Sequence, residues 1–153
     1  MSRKWFEYFV ITLIVLMFMP AGLTAFYLLQ TWQERYFPVL KDVTVSSIRR
    51  DWDNSIRIAG LFNKAYGFCE YQGITWTVEW PPGVLQRVGW DNVDQPNSTP
   101  TNRPAGLQSF GPWTVYVQKF PEATHISAVV DHKCFKFWPA QSHIGPVELP
   151  PAN

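Results

Sequence analysis

The chain reads as mainly β, with a single apolar helix at its N-terminus followed by an antiparallel β-sandwich carrying one disulfide. Three observations predict this. A long uncharged run lies near the N-terminus, apolar residues alternate at period two through the remainder, and 13 of 153 residues are proline. Period-two alternation is the mark of a half-buried strand, and an interior proline removes a helical hydrogen bond, so further helices find little room.

Composition sets the outer limits. The length suits one domain plus an anchor. With 13 Lys+Arg against 12 Asp+Glu, there is no basic stripe to neutralise phosphates, and nucleic acid is excluded as a partner.

Residues 1–8 form a short N-terminal arm and residues 9–33 the anchor. Between Glu7 and Glu34 lie 26 consecutive uncharged residues, whereas about 20 suffice to cross a bilayer core. "FVITLIVLMF" followed by "MPAGLTA" imitates a cleavable signal, with Pro20 and Gly22 placed as helix breakers. Leu23, three residues before a cut after Ala25, is too large for a cleavage site, and the apolar run continues through "FYLL". Retention is the expectation, and a secreted product cut near Ala25 is the alternative. Arg3 and Lys4 outweigh Glu7 before the segment, while Glu34 and Arg35 cancel after it. Positive flanks stay inside, so the N-terminus is cytoplasmic and the C-terminal part is exported. Trp5, Tyr8, Tyr27 and Trp32 stand where interfacial aromatics are expected. Phe9 to Leu29 is the segment in contact with lipid.

A stem over residues 34–40 leads to a domain over residues 41–153. "VTVSSI" sets Val43 and Val45 on one face, and "SIRIAG" does the same with Ile56 and Ile58. In "ITWTVEW" Trp76, Val78 and Trp80 share a side opposite Thr75, Thr77 and Glu79. "VLQRVGW" and "GPWTVYV" continue the pattern, and "HISAVVDHKCF" aligns Ile126, Ala128, Val130, His132 and Cys134. Turn signals such as "PPG" separate these runs, giving about seven strands without an intervening helix and hence two packed sheets.

The two cysteines, Cys69 and Cys134, both follow the anchor. In an oxidising compartment such a pair most simply forms a disulfide; free buried thiols or a metal site are the alternatives. The spacing invites comparison with immunoglobulin domains, where a disulfide ties two sheets across a tryptophan. Trp76 follows Cys69 too closely, and His132 stands where that family's corner tyrosine belongs. The outline is immunoglobulin-like, but membership is not supported.

His132, Cys134 and His143, with Asp131, hold the residue types of a metal or nucleophile site. Zinc requires three or four converging ligands, and the cysteine has a better partner in Cys69. Asp51 with Asp53, and Asp91 with Asp94, have the composition of a glycosidase carboxylate pair, yet both lie in turn sequence, where Asp caps routinely. Motifs for phosphate binding, serine hydrolysis and zinc proteolysis are absent from the sequence. No catalytic residue, metal or cofactor is therefore expected, and an envelope enzyme is the least supported reading. Six tryptophans follow the anchor, more than so small a domain buries. Trp80, Trp90 and Trp138, with Arg103 and the long polar stretch from Asp91 to Pro112, form the expected binding face. Exposed aromatics of this kind take up a protein partner or stack on sugars. "NST" at Asn97 to Thr99 is a glycosylation acceptor only in a eukaryotic host.

"AGLQSFGPWTV" (Ala105 to Val115) followed by "DHKCFKFWPAQSHIGP" (Asp131 to Pro146) resembles small exported proteins of tailed phages and prophages, whose function is unassigned. The likeness covers about a quarter of the chain; Phe135, Lys136 and "AQSH" depart from it. It implies a bacterial envelope location, with the domain in the periplasm or outside, and transfers no activity. The expected function is a membrane-tethered, non-catalytic binding or assembly module that contacts an envelope or phage protein in or near the membrane. A carbohydrate- or peptidoglycan-binding domain is the alternative.

Overall fold

The structure is a computed structural model and describes residues 3–92, 103–135 and 137–152. The chain forms two units, residues 1–37 and 38–153. The first is one helix, α1 (Arg3–Tyr36). Within its stretch Glu7–Tyr36 an 18-residue window reaches a mean hydropathy of 2.3, and the stretch is long and apolar enough to cross a membrane. No polar stripe runs along it, and a helix apolar on all sides needs lipid or a large core around it. Pro20 lies inside the helix; Thr24 Oγ1 donates to the Pro20 carbonyl at 2.8 Å, the kind of side-chain partner that lets membrane helices keep proline. Helical structure persists to Tyr36 and the first strand begins at Leu40, so the expected stem shrinks to residues 37–39.

The second unit is all antiparallel strand: β1 (Leu40–Arg50), β2 (Ser55–Lys64), β3 (Cys69–Glu79), β4 (Leu85–Asn92), β5 (Gly106–Tyr116), β6 (His125–Cys134) and β7 (Trp138–Glu148). They make a single sheet in the order β1-β2-β5-β4-β3-β6-β7. The expected two-sheet sandwich is not what the strands form. Hydrogen bonding is continuous through β4, whose first half (Leu85 to Val88) pairs with β3 and whose second half (Gly89 to Asn92) pairs with β5. The sheet curls until its edges approach, and Leu40 N–H on β1 donates to Ser142 Oγ on β7 at 3.2 Å. The result is nearly a barrel.

Bulges supply the curl. In β5, Gly111 and Pro112 stand opposite the single residue Ala59, and in β7 Gly145 and Pro146 stand opposite Ser127. An extra residue on one strand bends it and sharpens its twist, and proline is tolerated in a sheet at such points. Both glycines have positive φ, 75° and 86°, and a Cβ on Gly111 would lie 2.4 Å from the Ile58 carbonyl oxygen. Further register shifts occur in β1 and β3.

The concave face is the core. Ile56, Ile58, Trp76, Val78, Val115 and Ile126 are all fully buried, as the alternation requires. Trp113 sits at its centre, stacked on Phe110 at 5.0 Å and edge-on to Trp76 and Trp90 at 5.9 and 5.7 Å. Cys69 and Cys134 are bonded, and they are direct ladder partners on β3 and β6. Their Cα atoms are 4.2 Å apart, close to the roughly 4.5 Å of a non-hydrogen-bonded antiparallel pair. The disulfide thus ties neighbouring strands and does not bridge two sheets.

Candidate functional site

The expected binding residues do not converge. Trp80 follows the end of β3, is 37 % exposed and leans on Phe120 at 5.9 Å. Trp138 opens β7 opposite Cys134, at the other end of the barrel, and is partly buried against the core. Trp90 is partly buried on Trp113. Only Arg103 faces a cavity. At its two ends the expected Asp91–Pro112 loop is strand: Asp91 and Asn92 end β4 and Gly106 starts β5. Asp94 and the Asn97–Thr99 acceptor lie outside the described residues.

The enzyme candidates are occupied structurally. Asp51 pairs with Arg49 and Arg57 at 3.0 and 2.7 Å. Asp53 accepts from the Ser55 hydroxyl and amide at 2.7 and 3.0 Å, which holds its carboxyl below its usual range. Asp91 accepts from Tyr116 Oη at 2.7 Å. His143 points outwards while His132 points inwards, as neighbours of odd separation on paired strands must. Among the described residues no group of His, Cys, Asp or Glu could hold a metal ion.

What the fold does build is a cavity inside the barrel, at the end where β1, β3, β5 and β7 begin. Its empty volume is about 500 Å3 including the open mouth, of which about 40 Å3 admits the centre of a water-sized sphere. The space is therefore narrow. Near the mouth it is lined by Lys64, Arg103, Tyr71 and His132; deeper, by Phe62, Phe110, Trp113, Val130 and Ile144. Ligand pockets commonly combine apolar walls with a few convergent polar groups in this way.

Alternation puts the polar groups there. Lys64 has the same parity as Ile56, Ile58 and Phe62 on β2, and His132 the same as Ile126, Ala128 and Val130 on β6; both are 4 % exposed. Lys64 Nζ donates to the Arg103 carbonyl at 2.6 Å. Burial, with Arg103 as a second cause, lowers the affinity of this amine for its proton. Arg103 in turn donates from Nη1 to the Ser109 carbonyl. His132 pairs with Tyr71 across the ladder, their rings edge-on at 6.4 Å. Burial and then Lys64 bring the imidazole pKa down to about 4, so it is neutral at pH 7. Its Nδ1 is buried without a hydrogen-bond partner. Burial also pushes the Tyr71 hydroxyl up to about 12, with Asp131 adding to the shift, and it stays a donor.

Around this mouth the outer surface carries an apolar patch, with exposed Lys41, Glu70 and Lys133 at the same end. Phe68, Phe135 and Phe137 are 49, 62 and 77 % exposed, and Leu107 is 73 % exposed. Phe68 stacks on Phe135 at 4.2 Å and lies tilted against Tyr66 at 5.5 Å. The opposite end carries Trp52, 95 % exposed at the tip of the β1–β2 hairpin.

Fold and cavity together define an all-β barrel domain, with a polar-mouthed interior, behind an apolar helix. No protein-family model matches the chain, and neither a curated protein nor a solved structure matches it significantly.

Proposed function

We propose that the protein is a single-pass, membrane-tethered, non-catalytic binding module, N-terminus inside, with its barrel held outside the cytosol. The observation that carries this reading is the disulfide between ladder partners Cys69 and Cys134, in a domain that directly follows a helix apolar enough to cross a membrane. Disulfides persist in oxidising compartments, and such a helix delivers the domain behind it to one. The barrel end that exposes Phe68, Phe135 and Phe137 suits a membrane interface better than bulk water. The likeness of two segments to exported phage proteins favours a bacterial envelope.

Binding is favoured over catalysis because Asp51, Asp53 and Asp91 are tied into turns and strand contacts and the inward histidine is neutral and enclosed. A protein partner is best served by the barrel end where Trp52 and Trp80 are exposed; the same side chains would serve a wall glycan.

Mass spectrometry of the membrane fraction without reductant tests the reading. The expected species retains its N-terminal segment and has the mass of the oxidised cysteine pair. A soluble chain cut near Ala25, or one with both thiols free, overturns it.

A further inference from the structure

The cavity at the barrel mouth contains a buried cation with no close counter-ion among the described residues. Lys64 is 4 % exposed, and its ammonium bonds a carbonyl oxygen; Glu70 acts on it electrostatically, but no described carboxylate lies within ion-pair distance of it. Burying a charge without a close partner is costly. Polarity is also graded along the cavity. Lys64 ends β2 and Arg103 lies just before β5, with His132 and Tyr71 lining the same cavity, whereas Phe110, Trp113 and Ile144 lie towards mid-barrel.

We infer that the cavity binds a slender single-chain monocarboxylate, its carboxylate at Lys64 and Arg103 and its hydrocarbon chain running inward over Phe110 and Trp113. A bound anion supplies a counter-charge in direct contact, and charge-assisted hydrogen bonds of this kind are the strong ones. A planar carboxylate on an unbranched chain suits a cavity of only about 40 Å3; a tetrahedral headgroup or a ring system suits it poorly. The Tyr71 hydroxyl, on the same wall, remains to meet the second carboxylate oxygen. This inference deepens the binding-module reading by naming its ligand class, and it rests on the barrel alone, not on the tether.

The test uses the full-length chain in lipid nanodiscs, with empty nanodiscs as the blank. Octanoate, octanol and octyl phosphate are titrated separately by calorimetry, and near-UV circular dichroism reports the packing of the core tryptophans. Octanoate is expected to bind saturably and at least about tenfold more tightly than octanol. Lys64→Met is expected to abolish that preference while keeping the near-UV spectrum. Equal binding of octanol, tighter binding of octyl phosphate, or no saturable octanoate binding overturns the inference. Should Lys64→Met not fold, the wild-type comparison decides alone. A cytosolic location would sink the tether and leave these titrations unchanged, whereas failure to bind octanoate leaves location and disulfide standing.

Discussion

Gly60 shows how little slack the inner face has. A Cβ there would lie 2.2 Å from the Thr44 carbonyl oxygen and 2.4 Å from the Phe110 ring. Neither neighbour can yield freely, since one is backbone of β1 and the other is stacked on Trp113. Gly60→Ala should therefore cost about 1–3 kcal/mol, the range for overpacking, and should displace Phe110 at the cavity wall; urea midpoints and near-UV circular dichroism read both effects. His132 sets a second expectation. Its folded pKa is about 4 against 6.5 for the free side chain, so the unfolded chain binds the extra proton first as acid is added. Stability is then complete above about pH 6.5 and falls as pH drops towards 4, by up to about 3 kcal/mol for this group. The charged and titratable groups that act on the ring are Lys64 and Asp131, with Tyr71 packed beside it. His132→Gln should flatten the dependence of the urea midpoint on pH across that window. An unchanged slope would assign the acid sensitivity to other groups.

Strands, like residues, answer to their neighbours in the ladder. β3 and β6 are joined by the Cys69–Cys134 bond, which closes a sequence separation of 65; on the chain-entropy account that constraint is worth about 4 kcal/mol. The double variant Cys69→Ser/Cys134→Ser should lose about that much in urea unfolding while keeping the sheet order, because the pairing from Tyr71 to Val78 is independent of the bond. A loss below about 1 kcal/mol would mean that the unfolded chain is already constrained. The same elements show what a sequence discloses. Alternation marked Ile56, Ile58, Trp76, Val78, Ile126 and Val130 as inward, and all are buried; the cysteine pairing followed from their number and their place after the anchor. The single curled sheet was not legible as such. It depends on "GPW" and "GPV" acting as bulges at Gly111–Pro112 and Gly145–Pro146, and a Gly-Pro step reads equally well as a turn. Trp90 and Trp138 were misplaced because exposure of a tryptophan depends on which strand lies opposite, a non-local fact. Lys64 carried a usable signal, its parity with Phe62 and Ile58, but no sequence feature places Arg103, Tyr71 and His132 around it; only the pairing of β2 with β5 and of β3 with β6 does that.

For the whole molecule, an apolar patch on the barrel bears on how that unit meets a membrane. The barrel end entered from Pro38 carries Phe135 and Phe137, 62 and 77 % exposed, and burying an aromatic side chain of this size gains about 1.5–3 kcal/mol. Two such side chains at the interface would contribute several kcal/mol towards keeping the barrel on the bilayer even without its tether. A protease site inserted after Phe37 separates the two contributions. Once cut, the barrel is expected to stay partly bound to vesicles in a flotation assay, and Phe135→Ser/Phe137→Ser is expected to release it about a hundredfold more readily, in keeping with the loss of a few kcal/mol. Because the two phenylalanines hold by apolar contact, raising the salt concentration should change their share little, whereas attraction of exposed Lys41 and Lys133 to anionic headgroups would weaken with ionic strength. A cut barrel that leaves the membrane completely, or one whose retention depends on salt and not on the two phenylalanines, would show that the helix alone sets its position. Phe135 and Phe137 would then be free, like Trp52 and Trp80, to meet a partner.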